Sequence, residues 1–276
     1  MRPIQRVMTA VFVLGGMLLL PPAGTAQTQP EAEAVIIPHR QNFFLYSQDS
    51  QTREDRQFVE IKFQLSFKVE AFRAWEVPVY FGYTQKSFWQ VFDDENSSPF
   101  RENNYNPEAF LVLGEKQDYS LQAGVEHESN GQPMPRSRSW NRTYLWPRIQ
   151  LNQLEIGQKL WYRWNEPPKN DPLVDPEGDD NPDIEDFMGK GEFYLKYRLP
   201  SQWIHLMVRK GFKDENGTLQ LDYQVRFNAI TGFLFDWRPL SNVSHLHLHY
   251  FHGYGESLAD YNILMKKTAI GISINL

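Results

Sequence analysis

From Val59 to Glu70 apolar and polar side chains alternate without a fault. Val59, Ile61, Phe63, Leu65, Phe67 and Val69 fall on one face, and Glu60, Lys62, Gln64, Ser66, Lys68 and Glu70 on the other. The same period runs through residues 219–227, 192–199 and 270–276. Successive side chains of a β-strand point to opposite sides, so a two-residue period predicts strands with one apolar face. Twelve such segments are expected, near residues 42–47, 58–71, 77–89, 109–116, 120–129, 139–149, 158–164, 189–199, 203–210, 218–228, 245–254 and 267–276. Residues 231–237 fit a strand extension or a turn equally well.

Two architectures share this pattern. A soluble sandwich turns its apolar faces inward, whereas a membrane barrel turns them outward to lipid. The strands are long and repeated, and their polar faces carry Lys, Glu, Gln, Asp and Arg rather than turn formers. Aromatic residues make up 14% of the chain and sit often near strand ends, and the chain finishes inside a predicted strand. These features favour an all-β, twelve-stranded antiparallel transmembrane β-barrel over residues 41–276, closed so that every backbone group is paired without water. The polar stretches 93–106, 130–138 and 165–186 become outer loops. No internal repeat beyond the hairpin period and no second domain is evident.

The N-terminus adds a compartment. Arg2 and Arg6 precede an apolar run, residues 7–20, followed by Pro21-Pro22 and the small residues Gly24 and Ala26. Residues 1–26 therefore read as a signal peptide, since the run is short for a spanning helix. Residues 27–40 read as a flexible periplasmic lead-in. A net charge of -6 argues against nucleic acid as a partner. With no cysteine, disulfides, thiolate metal sites and cysteine nucleophiles are excluded.

Parity along the strands exposes the candidate chemistry. Leu121, Ala123 and Val125 face lipid, and His127 and Ser129 continue that row, where polar side chains are least expected. Two residues apart on one face, they stand roughly 7 Å apart at Cα, which lets an imidazole reach a hydroxyl. On the next segment Arg138, Arg142 and Arg148 must face the polar interior, so Ser139, Asn141 and Thr143 face outward. Asn141 then lies beside His127 and can accept its second ring N–H, the part an aspartate plays in the usual triad. An amide suits this place because an unpaired charge facing lipid is costly. The plain alternative is a set of polar residues at a strand end in the interface zone. Gln85 poses the same question, as it continues the outward row Val77, Val79, Phe81 and Tyr83. An amide on that face prefers a hydrogen-bonding partner to hydrocarbon, and the plain alternative is an ordinary interfacial residue. His245, His247 and His249 alternate with Leu246 and Leu248 and so face the lumen, where polar lining is the simpler reading and zinc or copper binding the other.

Several segments resemble one family. They are Gly124-Val125-Glu126-His127-Glu128-Ser129-Asn130-Gly131, Ser137-Arg138-Ser139-Trp140-Asn141-Arg142, Tyr83-Thr84-Gln85-Lys86-Ser87-Phe88-Trp89-Gln90, Ser97-Ser98-Pro99-Phe100-Arg101-Glu102-Asn103-Asn104-Tyr105, Asp179-Asp180-Asn181-Pro182-Asp183-Ile184 and Gly253-Tyr254-Gly255-Glu256-Ser257-Leu258. In order and spacing they resemble the outer membrane phospholipase A family of Gram-negative bacteria. That resemblance implies a calcium-dependent phospholipase, of A1, A2 and lysophospholipase type, active as a homodimer toward the outer leaflet. It assigns Ser129 as nucleophile, His127 as base, Asn141 as orienter and the Gly131 backbone N–H as oxyanion donor. It implies a calcium ion held by Ser137, the Gln132 carbonyl and Ser97 of a second copy, and makes Gln85 a dimer contact. A second family calcium site pairs an aspartate with the position of Asp180, but Met134 stands where that aspartate belongs. The chain also ends in Leu276 where such barrels usually carry an aromatic residue. The competing readings are a non-enzymatic barrel, such as a small channel, and a soluble secreted esterase.

Overall fold

The structure, a computed structural model, describes residues 35–51, 56–114, 118–171, 173, 175, 177–231 and 244–274. The expected signal segment, residues 1–26, and Leu276 lie outside these. Twelve antiparallel staves run from β2 (Asn42–Asp49) through β3 (Val59–Ala74), β4 (Val77–Trp89), β5 (Phe100–Leu113), β6 (Tyr119–Ser129), β7 (Ser139–Leu151) and β8 (Leu154–Arg163). They continue with β9 (Gly191–Arg198), β10 (Gln202–Lys210), β11 (Gly217–Arg226), β12 (Ser244–Gly253) and β13 (Met265–Ile274). Each pairs with its sequence neighbour and β13 pairs with β2, so the sheet closes into the expected barrel.

Parity is borne out on the wall. Phe44, Leu65, Phe67, Phe81, Leu145, Ile149, Ile204, Leu221, Leu248, Ile270 and Ile272 are exposed on the outside. Glu60, Lys62, Glu108, Glu126, Arg142, Lys159, Asp222 and Gln224 are buried in the lumen. This is the inverse of a sandwich, and it is what lipid imposes on a closed sheet. Short turns such as Trp75-Glu76 and Asn152-Gln153 lie at one rim, while the other carries long connections at residues 90–99, 130–138 and 164–183.

Three expectations need correction. β5 begins at Phe100, not near residue 109, so only the first part of the expected loop 93–106 is loop. Its missing half has no apolar stripe because Glu102, Asn104 and Asn106 point into the lumen opposite Asn103 and Tyr105, and Arg101, at a bulge, also turns inward to Glu60 at 2.9 Å. The end of the expected lead-in is also structured: β1 (Ile36–Pro38) pairs with Phe67–Val69 of β3 along the line of β2. Behind it Arg40 reaches inside to Glu108 at 2.7 Å and Glu126 at 3.2 Å. Finally, Phe227 and Asn228 belong not to a strand but to a short helical turn, whereas a second one, α1 (Ile184–Met188), lies within the expected outer loop 165–186. With α2 denoting Phe227–Thr231, α1 is the one that matters for the site. Its Ile184 and Met188 pack with Trp140, Trp161, Leu258 and Tyr261 to close the long-loop end of the barrel with an apolar plug.

The lumen is held by charge. Glu126, with a side chain 0% exposed, meets Lys159 at 2.8 Å, Arg142 at 3.1 Å and Arg40 at 3.2 Å. Replacing one member of a buried ionic cluster leaves the others unpaired, at about 3–5 kcal/mol. Glu126→Leu is accordingly expected to lower the urea midpoint of the detergent-refolded barrel, and an unchanged midpoint would show that water or neighbouring carboxylates compensate.

Candidate active site

The site is built where β6 and β7 reach the long-loop rim. The register sets His127 directly opposite Asn141 and Ser129 opposite Ser139. That register is fixed from the inner face. Glu128 accepts from Trp140 Nε1 at 3.0 Å and from Arg142 at 2.9 Å, and the Arg142 guanidinium lies 3.7 Å from the Trp140 ring centroid. A one-residue slip would break these contacts and turn the outward row inward.

On the outer face His127 Nδ1 donates to Asn141 Oδ1 at 2.9 Å. Ser129 lies two residues on along the same side, half-buried like His127 and Asn141. The structure thus brings the histidine and asparagine into contact and sets the serine on their face. The Asn141 amide nitrogen donates in turn to Glu166 Oε1 at 2.9 Å. Burial pushes the Glu166 carboxyl above its ordinary range, with the Asn141 bond working the other way.

The loop after β6 is shaped by Asn130, which is buried. Its Oδ1 accepts from the backbone N–H groups of Gln132 and Arg138, at 3.2 and 2.9 Å, and its Nδ2 donates to the Arg136 carbonyl at 2.8 Å. Gly131 follows with φ +63, and a Cβ there would meet the Tyr105 ring at 3.1 Å. Glycine takes this conformation without the strain a side chain would bring, and the missing Cβ spares a tight contact with that ring.

Ser137 and Ser139 both donate to Asp180 Oδ2, at 2.7 and 3.3 Å. The other carboxylate oxygen of Asp180 lies 2.9 Å from Lys169 Nζ, and that ammonium also lies 3.4 Å from Met134 Sδ. The oxygen donors Ser137, Gln132 and Ser97 suit calcium. Ser97 is exposed, with φ 61, on the separate loop between β4 and β5 at the same rim. The Asp180 position does not suit a second ion: a lysine ammonium with a side chain only 3% exposed already takes the charge, beside a thioether. Nothing in the patterning of residues 165–186 signals Lys169 or Glu166, because both act through contacts made across the fold.

Gln85 lies in the transverse row Gln85, Tyr105, Ser129, Ser139. Its amide is held between Tyr83 Oη at 3.1 Å and Ser87 Oγ at 3.0 Å. The histidine row faces the lumen as expected. Asp222 Oδ1 accepts from His247 at 2.8 Å and His249 at 2.7 Å, while Lys62 Nζ donates to the other His249 nitrogen at 3.1 Å. Asp222, His247 and His249 have metal-like spacing, yet the lysine occupies the lone pair a metal would need.

A closed barrel with apolar side chains outside and charged ones within defines the class of a membrane β-barrel, and this one carries an imidazole, an amide and a hydroxyl together on its outer wall. Comparison with known proteins gives the family: the one described as Phospholipase A1 matches residues 25–276. The chain belongs to the phospholipase A1 family. It is 36% identical over 230 residues to "Putative phospholipase A1" of Neisseria meningitidis serogroup B, covering 78% of this chain and 54% of that one, about half its length. It is 31% identical over 265 residues to "Phospholipase A1" of Escherichia coli K12, covering 87% and 81%. Among solved structures, outer membrane phospholipase A from Escherichia coli superposes with a TM-score of 0.73 at 28% identity, over 87% of this chain and 98% of that one. The Salmonella typhi outer membrane phospholipase dimer with bound calcium gives 0.74 at 26%, over 91% and 94%.

Proposed function

We propose that this protein hydrolyses phospholipid acyl esters at the lipid face of a Gram-negative outer membrane, through Ser129, His127 and Asn141. The observation that carries this is the 2.9 Å bond from His127 Nδ1 to Asn141 Oδ1 on the same outward face as Ser129. With Nδ1 protonated, Nε2 holds the lone pair a general base needs. Ser129 Oγ attacks the acyl carbonyl carbon as His127 takes its proton. The ester C–O bond then breaks, and His127 returns the proton to the departing alcohol. Water repeats the sequence on the acyl-serine, releasing the fatty acid. The Gly131 N–H would donate to the oxygen on which negative charge develops.

Calcium held by Ser137, the Gln132 carbonyl and Ser97 of a second copy would supply positive charge to offset that developing oxyanion. Ser97 belongs to a loop separate from that of Ser137, in keeping with an ion shared between two copies. Gln85, in one row with Ser129, lies on the wall where two copies would meet, and an amide there prefers a hydrogen-bonding partner to hydrocarbon. Dimers would then be the active species, assembled when phospholipid enters the outer leaflet. The lumen, crossed by the Glu126 cluster and plugged by α1, speaks against a channel.

The test is hydrolysis of phosphatidylcholine in detergent micelles by refolded protein, with monomer and dimer fractions separated by cross-linking. Fatty acid and lysophospholipid are expected from dimers with calcium. An absence of acyl release from either fraction would overturn the proposal.

A further inference from the structure

The contact behind Asn141 goes beyond the three residues assigned above. An asparagine amide presents an acceptor on one side and a donor on the other, and its neighbours decide which way it turns. A carboxylate only accepts. Glu166 Oε1, 2.9 Å from Asn141 Nδ2, therefore requires the nitrogen on its side and leaves Oδ1 for His127. An acceptor at Nδ1 makes that ring nitrogen the protonated one and frees Nε2 as the base. Were the amide reversed, its NH2 would face Nδ1 and favour the tautomer that cannot take the serine proton.

Glu166 is not carried on a loose loop. Two residues before it, Trp164 N donates to the Asn141 carbonyl at 2.8 Å, and Trp164 Nε1 donates to Thr143 Oγ1 at 2.9 Å. One residue after it, the Pro167 carbonyl accepts from Asp179 N at 2.8 Å, and Asp179 is tied to Arg163 at 2.5 Å. A strut fastened on both sides delivers the carboxylate to the amide. Its residues serve neither the apolar plug nor the lumen cluster.

We propose that Glu166 is a positioning residue for this reaction, fixing the orientation of the Asn141 amide and through it the tautomer of His127. The inference rests on the triad reading above and deepens it. An uncharged amide suits a lipid-facing site, but it lacks the fixed polarity of a carboxylate, and Glu166 restores that polarity from the aqueous rim.

The test uses the full chain refolded in detergent, with folding checked by heat-dependent gel migration. Glu166→Gln keeps the shape but accepts the amide in either orientation. It is expected to lower kcat about tenfold, the scale of a lost hydrogen bond to a charged group, with KM and the calcium requirement within about twofold by the same reasoning. The decisive background is Asn141→Asp. A carboxylate at 141 accepts from His127 unaided and is repelled by Glu166, so adding Glu166→Gln there should raise kcat. A residue that merely braces the loop would give the same loss in both backgrounds, and that result, or an unchanged kcat for the single variant, overturns the proposal. Asn141→Ala separates the two readings. If it leaves hydrolysis intact, the triad itself is wrong. If it stops hydrolysis while Glu166→Gln does not lower kcat, only the role of Glu166 is wrong.

Discussion

Ser129→Ala is expected to reduce fatty-acid release at least ~10³-fold while the barrel refolds as before, because removing the nucleophile of such a triad leaves only binding and oxyanion stabilisation. The residue stands on the outer wall, outside the ion pairs that fill the lumen, so its loss removes no buried partner. His127→Ala should cost about as much, and the double variant should lose little more, since members of one catalytic unit are not additive. Independent additive losses would point to two separate contributions instead of one proton path. Full hydrolysis by Ser129→Ala would place the chemistry elsewhere. Parallel assays with a soluble short-chain ester separate the chemical step from lipid access: the loss should be equally severe on both substrates.

The outward position of this site was legible in the sequence because parity in a strand is unforgiving. Shifting the register by one residue exchanges every side chain between lumen and lipid, so the arginines at 138, 142 and 148 and the apolar row ending at Val125 fix the faces of Asn141, His127 and Ser129 together. The same logic fails where both faces are polar. Residues 100–106 put Glu102 and Asn104 inside and Asn103 and Tyr105 outside, and no stripe marks them as strand. Their identity as strand depends on partners far along the chain, such as the backbone N–H of Leu258 on Asn104 and of Ala259 on Glu102. Residues 36–40 were silent for the same reason, since Arg40 is explained only by Glu108 and Glu126 across the lumen. The loop after β8 conceals most. Its acidic, proline-rich composition describes a solvated segment equally well, and only the fold brings Glu166 to Asn141 and Lys169 to Asp180.

Lys169 bears directly on the effect of withdrawing calcium. Chelation should reduce hydrolysis by more than ~10²-fold, the scale on which one oxyanion-stabilising group counts, and added calcium should restore it. Ser137→Ala should raise the calcium concentration needed for half-maximal rate, because its hydroxyl is one of the proposed calcium donors and is already oriented by Asp180. Magnesium should substitute poorly, since it demands a tighter octahedral shell than two serines and a carbonyl provide. The restoration should follow a single class of activating site. Asp180 would otherwise be the natural ligand for another ion, but its carboxylate is charge-matched by an ammonium held within the chain. Lys169 therefore does by covalent attachment what a second ion would do by binding. It keeps Asp180 fixed toward Ser137 and Ser139 at calcium concentrations too low to fill a weak site. Activity retained in full under chelation would remove calcium from the mechanism. A biphasic calcium titration would instead show that Lys169 yields its place at Asp180 to the ion.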